Sequence, residues 1–283
     1  NLLCLSENYH IFNERFNFFR FVFGKYDLNS AKEVETMLHH QKIRLKFRSG
    51  IEFEIQEVFE KILNRGLGDA VVYDEVMKYF LKPTGKHIWG EYANLSWRYI
   101  PSFLKMFPNG KVIYIMRDLR AVLSSFKKLT FLSDNLYLNV IFNWIDGVNH
   151  ALKFQQSIGK DKFLIIRLED LHSNPKNFVK KITDFTEEKF EKVMLEPEKW
   201  KEKLDERFVK INISSHTNEK VFGFNPERSY KWKEDLDAWI IQICEFLAGS
   251  HLNDLGYKLN QVNLNKDLLR YGLKLIARND ILF

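Results

Sequence analysis

The chain has 283 residues, 45% hydrophobic, 15% aromatic and 28% charged, which excludes a disordered or fibrous protein and allows one large core or a main domain with a subsidiary lobe. No run of about eighteen apolar residues occurs, so the sequence contains no apolar transmembrane span. The formal net charge of +6 and a sequence pI near 9.0 suit an anionic partner such as a nucleotide, a polyanionic glycan or nucleic acid, and equally a plain excess of surface lysine.

Cys4 and Cys244 are the only cysteines. They are too few for a disulfide framework, no Cys-x-x-Cys or His/Cys cluster suggests a metal, and both read as buried thiols. Asn1–Leu5 reads as the tail of a helix, so the chain is expected to begin inside a fold. Glu14 then precedes a dense aromatic run, Phe16, Phe18, Phe19, Phe21 and Phe23, most of it expected in the core. Residues 30–64 are charged and helical in pattern, and His39 and His40 within them are expected to face solvent.

Two strand–helix units follow. Lys111–Met116 is a short β-branched and apolar run leading through Arg117-Asp118 into a helical stretch, Leu119–Lys128. Lys162–Arg167 is a second such run, ending in Leu168-Glu169-Asp170-Leu171. Short apolar runs without polar alternation are the pattern of parallel strands buried on both faces. Between them Leu138, Ile141, Ile145, Val148 and Leu152 recur at steps of three and four, the apolar face of a crossover helix. Strand, helix, strand in that order predicts an α/β fold with a parallel sheet. Further on, 175–209 is charged and helical, 235–248 is an amphipathic helix ending near Gly249, and Asn265–Asn279 is a surface helix. Trp97 and Trp144 read as core or as sugar-stacking rings, with core favoured.

In a parallel α/β sheet, ligands bind beyond the carboxyl ends of the strands, where helix N-termini present free N–H groups. Arg117 falls at such an end, and an arginine fork there can hold a phosphate bidentately. Ser125, two turns into the following helix, can reach the same group. The residues alone leave a second reading of equal weight: Arg117 pairs with Asp118 or Glu169, and Ser124 and Ser125 are surface serines.

The stretch Phe107-Pro108-Asn109-Gly110-Lys111-Val112-Ile113-Tyr114-Ile115-Met116-Arg117-Asp118-Leu119-Arg120-Ala121-Val122-Leu123-Ser124-Ser125 resembles the 3′-phosphate signature of the sulfotransferases that use 3′-phosphoadenosine-5′-phosphosulfate (PAPS). There a strand ends in Arg-Asp-Pro-Arg and a serine eight residues after the first arginine completes the site. Leu119 stands where the family has proline, a tolerable change in a first helical turn. Trp89-Gly90-Glu91 with Ile100-Pro101 is similar to the segment preceding the signature in Golgi-type and bacterial members. Arg167-Leu168-Glu169-Asp170-Leu171 resembles the family's Arg-Tyr-Glu-Asp-Leu. Asn212-Ile213-Ser214-Ser215 and Arg228-Ser229-Tyr230-Lys231-Trp232 look like the loop and the Arg/Lys–Trp segment that close over the nucleotide.

The resemblance implies a single domain over 1–283, with the 27–80 insertion and a C-terminal helix at 265–283, in a three-layer P-loop-like α/β fold whose central parallel sheet is flanked by helices. It implies transfer of a sulfuryl group from PAPS to a hydroxyl, or less readily an amine, of a carbohydrate or similar acceptor, leaving 3′,5′-adenosine diphosphate. Arg117, Ser125, Arg228, Ser229, Lys231 and Trp232 would bind the nucleotide. Glu14 would be the general base, with Glu91 and His87 in reserve, and no metal or nucleic acid would take part. The compartment would be the Golgi lumen in a eukaryote or the cytoplasm in a bacterium.

Two features depart from the family pattern. The Gly/Ser/Thr-rich loop for the 5′-phosphosulfate is absent and is expected to precede residue 1, and Tyr92 and Ala93 replace the Lys or His that many members carry after Gly-Glu. No Gly-x-x-x-x-Gly-Lys-Ser/Thr occurs, which argues against a conventional P-loop kinase. A P-loop-related kinase and a non-catalytic nucleotide- or polyanion-binding module remain as alternatives. The Lys-rich stretch Lys199–Lys210 is a solvated helix face or a guide for an anionic glycan.

Overall fold

Alternation in Tyr-His-Ile-Phe-Asn and the short apolar run Val-Ile-Tyr-Ile-Met each produce a strand, and each strand organises its own core. The structure is a computed structural model that describes residues 2–13, 15–127, 136–200, 223–260 and 265–279. The backbone gathers into two compact units. The first comprises Asn1–Lys111, Thr186–Met194 and Lys199–Ile211, and the second Val112–Phe185, Leu195–Glu198 and Asn212–Phe283.

In the first unit, a 3-10 turn at Leu2–Leu5 leads into β1 (Tyr9–Asn13), followed by α1 (Phe18–Phe21), α2 (Ala31–Ser49), α3 (Ile55–Arg65) and α4 (Asp69–Leu81), then β2 (Ile88–Tyr92) and α5 (Ile100–Met106). The charged 30–64 stretch is thus helical as expected. Ser30 caps α2, its hydroxyl accepting from Glu33 N–H at 3.5 Å, the pattern that satisfies an otherwise unpaired donor at a helix start. β1 and β2 run parallel, Tyr9 opposite Ile88 through Asn13 opposite Tyr92. Gly90 lies opposite Ile11, and a Cβ there would meet Ile11 Cδ1 at 2.5 Å, so a larger residue would have to displace the Ile11 side chain. The helices close over Phe12, Phe16, Phe18, Met37, Leu38, Leu45, Phe53, Ile62 and Met77, all fully buried. The Phe18 ring stacks on Tyr73 at 4.4 Å. Phe16, Phe18 and Phe19 are core and His39 and His40 are exposed, as the sequence suggests.

In the second unit β3 (Val112–Met116) is followed by α6 (Leu119–Lys127), the crossover α7 (Leu136–Ser157), β4 (Phe163–Arg167), α8 (Leu168–Ser173) and α9 (Pro175–Thr186). A 3-10 turn at Pro226–Ser229 then leads to α10 (Trp232–Asp235), α11 (Ala238–Asp254) and α12 (Lys266–Asn279). β3 and β4 pair in parallel, Val112 opposite Phe163 through Met116 opposite Arg167, so the strand–helix–strand expectation holds and the fold is α/β with parallel strands. Among the described residues the four strands hydrogen-bond as two pairs.

Helix cover falls on β4, where α7 packs, and Ile115 of β3 stays 45% exposed rather than buried as the apolar run predicts. The second core gathers Leu119, Leu123, Ile141, Ile240, Ile243, Cys244, Ala248 and Leu252. α11 does not stop at Gly249 but runs on to Asp254. Burial of this helix by its neighbours outweighs the cost of an interior glycine, about 1 kcal/mol. Both cysteines are free and buried. Among the described residues no helix is long and apolar enough to cross a membrane.

Candidate functional site

β3 delivers Arg117 to its carboxyl end, and α6 begins two residues later. Eight residues span the strand end and two helical turns, which brings Ser125 back beneath Arg117. Arg117 Nη1 donates to Ser125 Oγ at 3.0 Å, while that hydroxyl donates to the Ala121 carbonyl at 3.0 Å. The half-buried guanidinium has no carboxylate within ion-pair distance among the described residues. Burial pulls its pKa down; Glu169 opposes this and the nearby Arg228 adds to it.

The neighbouring carboxylates are already engaged. Asp118 belongs to Arg120, whose Nε and Nη2 reach its two oxygens at 3.0 and 2.8 Å. Arg120 Nη1 donates to Glu245 at 2.6 Å. Glu169 accepts from Asp118 N–H at 2.9 Å with one oxygen and from Tyr257 Oη–H at 3.0 Å with the other. The reading in which Arg117 pairs with Asp118 therefore fails: Arg120, fully buried between two carboxylates, fills that role. Ser124 also differs from a surface serine, donating to Asp235 at 2.7 Å.

Arg228 rides on the 3-10 turn Pro226–Ser229, which Asn225 caps by accepting from Arg228 N–H at 3.3 Å. His172 Nδ1 lies 2.8 Å from the Asn225 carbonyl and ties this turn to α8. Arg117 and Ser125 at the strand end, with Arg228 near enough to be felt by Arg117, are groups of the kind that can bind an anion, because hydrogen bonds between charged partners are the strong ones. The other residues of that segment fall elsewhere. Lys231 is exposed and Ser229 buried. Trp232 is 2% exposed, with Arg120 Cζ 4.0 Å from its ring centre. The Trp232 ring is therefore part of the core, with one face covered by a buried cation.

In the first unit, Glu91 sits near the end of β2 and accepts three hydrogen bonds. Its Oε1 accepts from Phe16 and Asn17 N–H, each at 2.7 Å, and its Oε2 from Tyr73 Oη–H at 2.8 Å. Burial pushes its pKa up against the pull of these donors. In this geometry the carboxylate ties down the turn after β1, where Asn17 takes the left-handed conformation at φ 54°. His87 is exposed and precedes β2, at the end opposite Glu91, its backbone N–H bonded to Asn8 O at 3.0 Å. Glu14 lies outside the described residues, as do Asn212–Ser215 and residues 201–210 of the Lys-rich stretch.

Arg117, Ser125 and Arg228 stand out in the sequence as candidates, and the groups that surround them do not. Trp144 packs against the second core, in line with the favoured reading, and its Nε1–H also donates to the Arg117 carbonyl at 2.8 Å. Glu169 was legible only as a motif member, and nothing in the local sequence signals Tyr257 or His172.

The sequence profile described as the Sulfotransferase family matches residues 2–192, more than half of the chain. The chain belongs to this family. A protein-tyrosine sulfotransferase of Drosophila melanogaster is 27% identical over 213 residues, covering 70% of this chain and 41% of that protein; the chain thus spans less than half the length of this curated relative. The solved sulfotransferase domain of the Synechococcus PCC 7002 olefin synthase is 17% identical, covers 86% of this chain and is itself covered over 95%, at a TM-score of 0.52. At that identity the likeness concerns the fold.

Proposed function

We propose that the protein transfers a sulfuryl group from PAPS to a hydroxyl, in the first instance on a carbohydrate. The carrying observation is Arg117: a half-buried cation without a carboxylate partner among the described residues, bonded to Ser125 at 3.0 Å and beside Arg228. A buried charge is costly unless paired, and a 3′-phosphate would supply the missing partner. Arg117, Ser125 and Arg228 would hold that phosphate. Ser229, Lys231 and Trp232 shape the segment that carries Arg228.

Sulfuryl transfer asks little covalent help of a protein, by analogy with phosphoryl transfer: positioning and charge neutralisation do most of the work. The acceptor oxygen attacks sulfur and loses its proton to a base while the bond from sulfur to the 5′-phosphate oxygen breaks. Glu14 is assigned the base by resemblance. Glu91 is the weaker candidate because three donors already occupy its oxygens, and His87 because it stands at the other end of β2. The Drosophila relative's name supports a second acceptor reading, the phenolic hydroxyl of tyrosine in a protein.

Sulfur-labelled PAPS offered with glycans, tyrosine peptides and small alcohols tests the proposal. Label on a hydroxyl acceptor supports it, and the class labelled chooses between glycan and tyrosine. Tight binding of 3′,5′-adenosine diphosphate with no transfer to any acceptor would favour a non-catalytic binding module. Glu14→Gln is expected to lower turnover by about 10²–10⁴-fold with nucleotide affinity nearly unchanged.

A further inference from the structure

The C=O of Arg117 and the N–H of Asp118 belong to one peptide group, and side chains from two different helices hold its two ends. Trp144 of α7 donates Nε1–H to the Arg117 carbonyl at 2.8 Å. Glu169 of α8 accepts from the Asp118 N–H at 2.9 Å. A second layer fixes the carboxylate: Tyr257 Oη–H donates to its other oxygen at 3.0 Å. The Tyr257 ring lies beneath Arg167 at 4.4 Å, and Arg167 Nη1 donates to the Leu255 carbonyl at 2.8 Å. Gly256, at φ +77°, turns the chain between those two contacts; a Cβ there would come within 3.2 Å of Arg167 Nη1.

We infer that Trp144 and Glu169 are positioning residues that set recognition of the 3′-phosphate by fixing the plane of the Arg117–Asp118 peptide. A peptide group rotates as a unit, because φ and ψ are the only soft backbone torsions. Residues at a strand end lack the ladder bonds that would otherwise fix that plane. The held carbonyl and amide on one side of the Arg117 Cα, and the paired strand ending at Met116 on the other, together restrict the Cα–Cβ bond to a direction that lets Nη1 reach Ser125. Sub-ångström placement of an arginine fork decides whether it meets a phosphate with two hydrogen bonds or one. Neither residue touches the anion in this account, and both act through Arg117. The inference rests on the reading of Arg117 as the 3′-phosphate receptor.

Calorimetric titration of the protein with 3′,5′-adenosine diphosphate and with 5′-adenosine monophosphate, which lacks the 3′-phosphate, separates the two ideas. The ratio of the two affinities isolates the 3′-phosphate contribution, and a merely structural role would lower both together. Trp144→Phe keeps a ring but removes the donor, and Glu169→Ala removes the acceptor. Each is expected to weaken the diphosphate by about 5- to 30-fold and to leave the monophosphate unchanged. Glu169→Gln retains an acceptor oxygen and is expected to restore most of the ratio. Tyr257→Phe, with an expected loss of about 2- to 10-fold, serves where melting curves show that a larger change has unfolded the protein. A wild-type preference for the diphosphate that survives in Trp144→Phe, Glu169→Ala and Tyr257→Phe overturns the positioning role alone. Equal wild-type affinity for both nucleotides overturns the receptor reading and the positioning role with it.

Discussion

Three arginines within the second unit have three fates, and their surroundings decide which. Arg120 is locked between Asp118 and Glu245, Arg167 is spread over Tyr257, and Arg117 is left with a hydroxyl. Replacing Arg117 by alanine is expected to weaken binding of 3′,5′-adenosine diphosphate by more than about 1.5 kcal/mol, the low end for a hydrogen bond to a charged group; unchanged affinity in a titration would remove its assigned role. Arg120→Met has a different signature. It leaves two buried carboxylates unpaired, a loss of about 3–5 kcal/mol, to be read as a lowered denaturation midpoint. The sequence Arg-Asp-Leu-Arg shows both arginines but not which one owns the aspartate. That depends on Glu245, which arrives from α11, 125 residues along the chain from Arg120.

At the scale of elements, the turn between β1 and α1 is held from outside by Glu91 and Tyr73. Because burial raises the Glu91 pKa, the folded state keeps its proton at pH values where the unfolded carboxyl, with its ordinary pKa of about 4.3, has lost it. Between these two values the native state binds more protons than the unfolded one. The stability linked to that proton is therefore complete below the ordinary value and is lost as pH rises through the folded one. Melting curves across acid pH are expected to show this decline in the wild type and a flatter profile in Glu91→Gln. The strands and helices 112–127 and 136–167 were legible from short apolar runs and three-four spacing, since both are local patterns. The end of α11 was not, because Gly249 signals a stop locally while packing around the helix carries it to Asp254.

For the whole molecule, the net charge of +6 acts on association rather than on fold. Binding of a multiply charged nucleotide is expected to weaken steadily as salt rises from about 10 mM to 300 mM, where the screening length falls below about 10 Å; an affinity indifferent to salt would count against an anion held by Arg117 and Arg228. The sequence by itself determined the α/β class, the parallel strand–helix–strand unit and the placement of Arg117 eight residues before Ser125, because each depends on periodicity or on spacing within one strand-to-helix corner. Only the tertiary structure decided the division into two compact units with separate cores, the capture of Asp118 by Arg120, the burial of Trp232, the engagement of Glu91 and the hold of Trp144 and Glu169 on one peptide group. Each of these joins residues far apart in the chain, and a contact across that distance is set by how elements pack, which leaves no mark in the order of neighbouring residues.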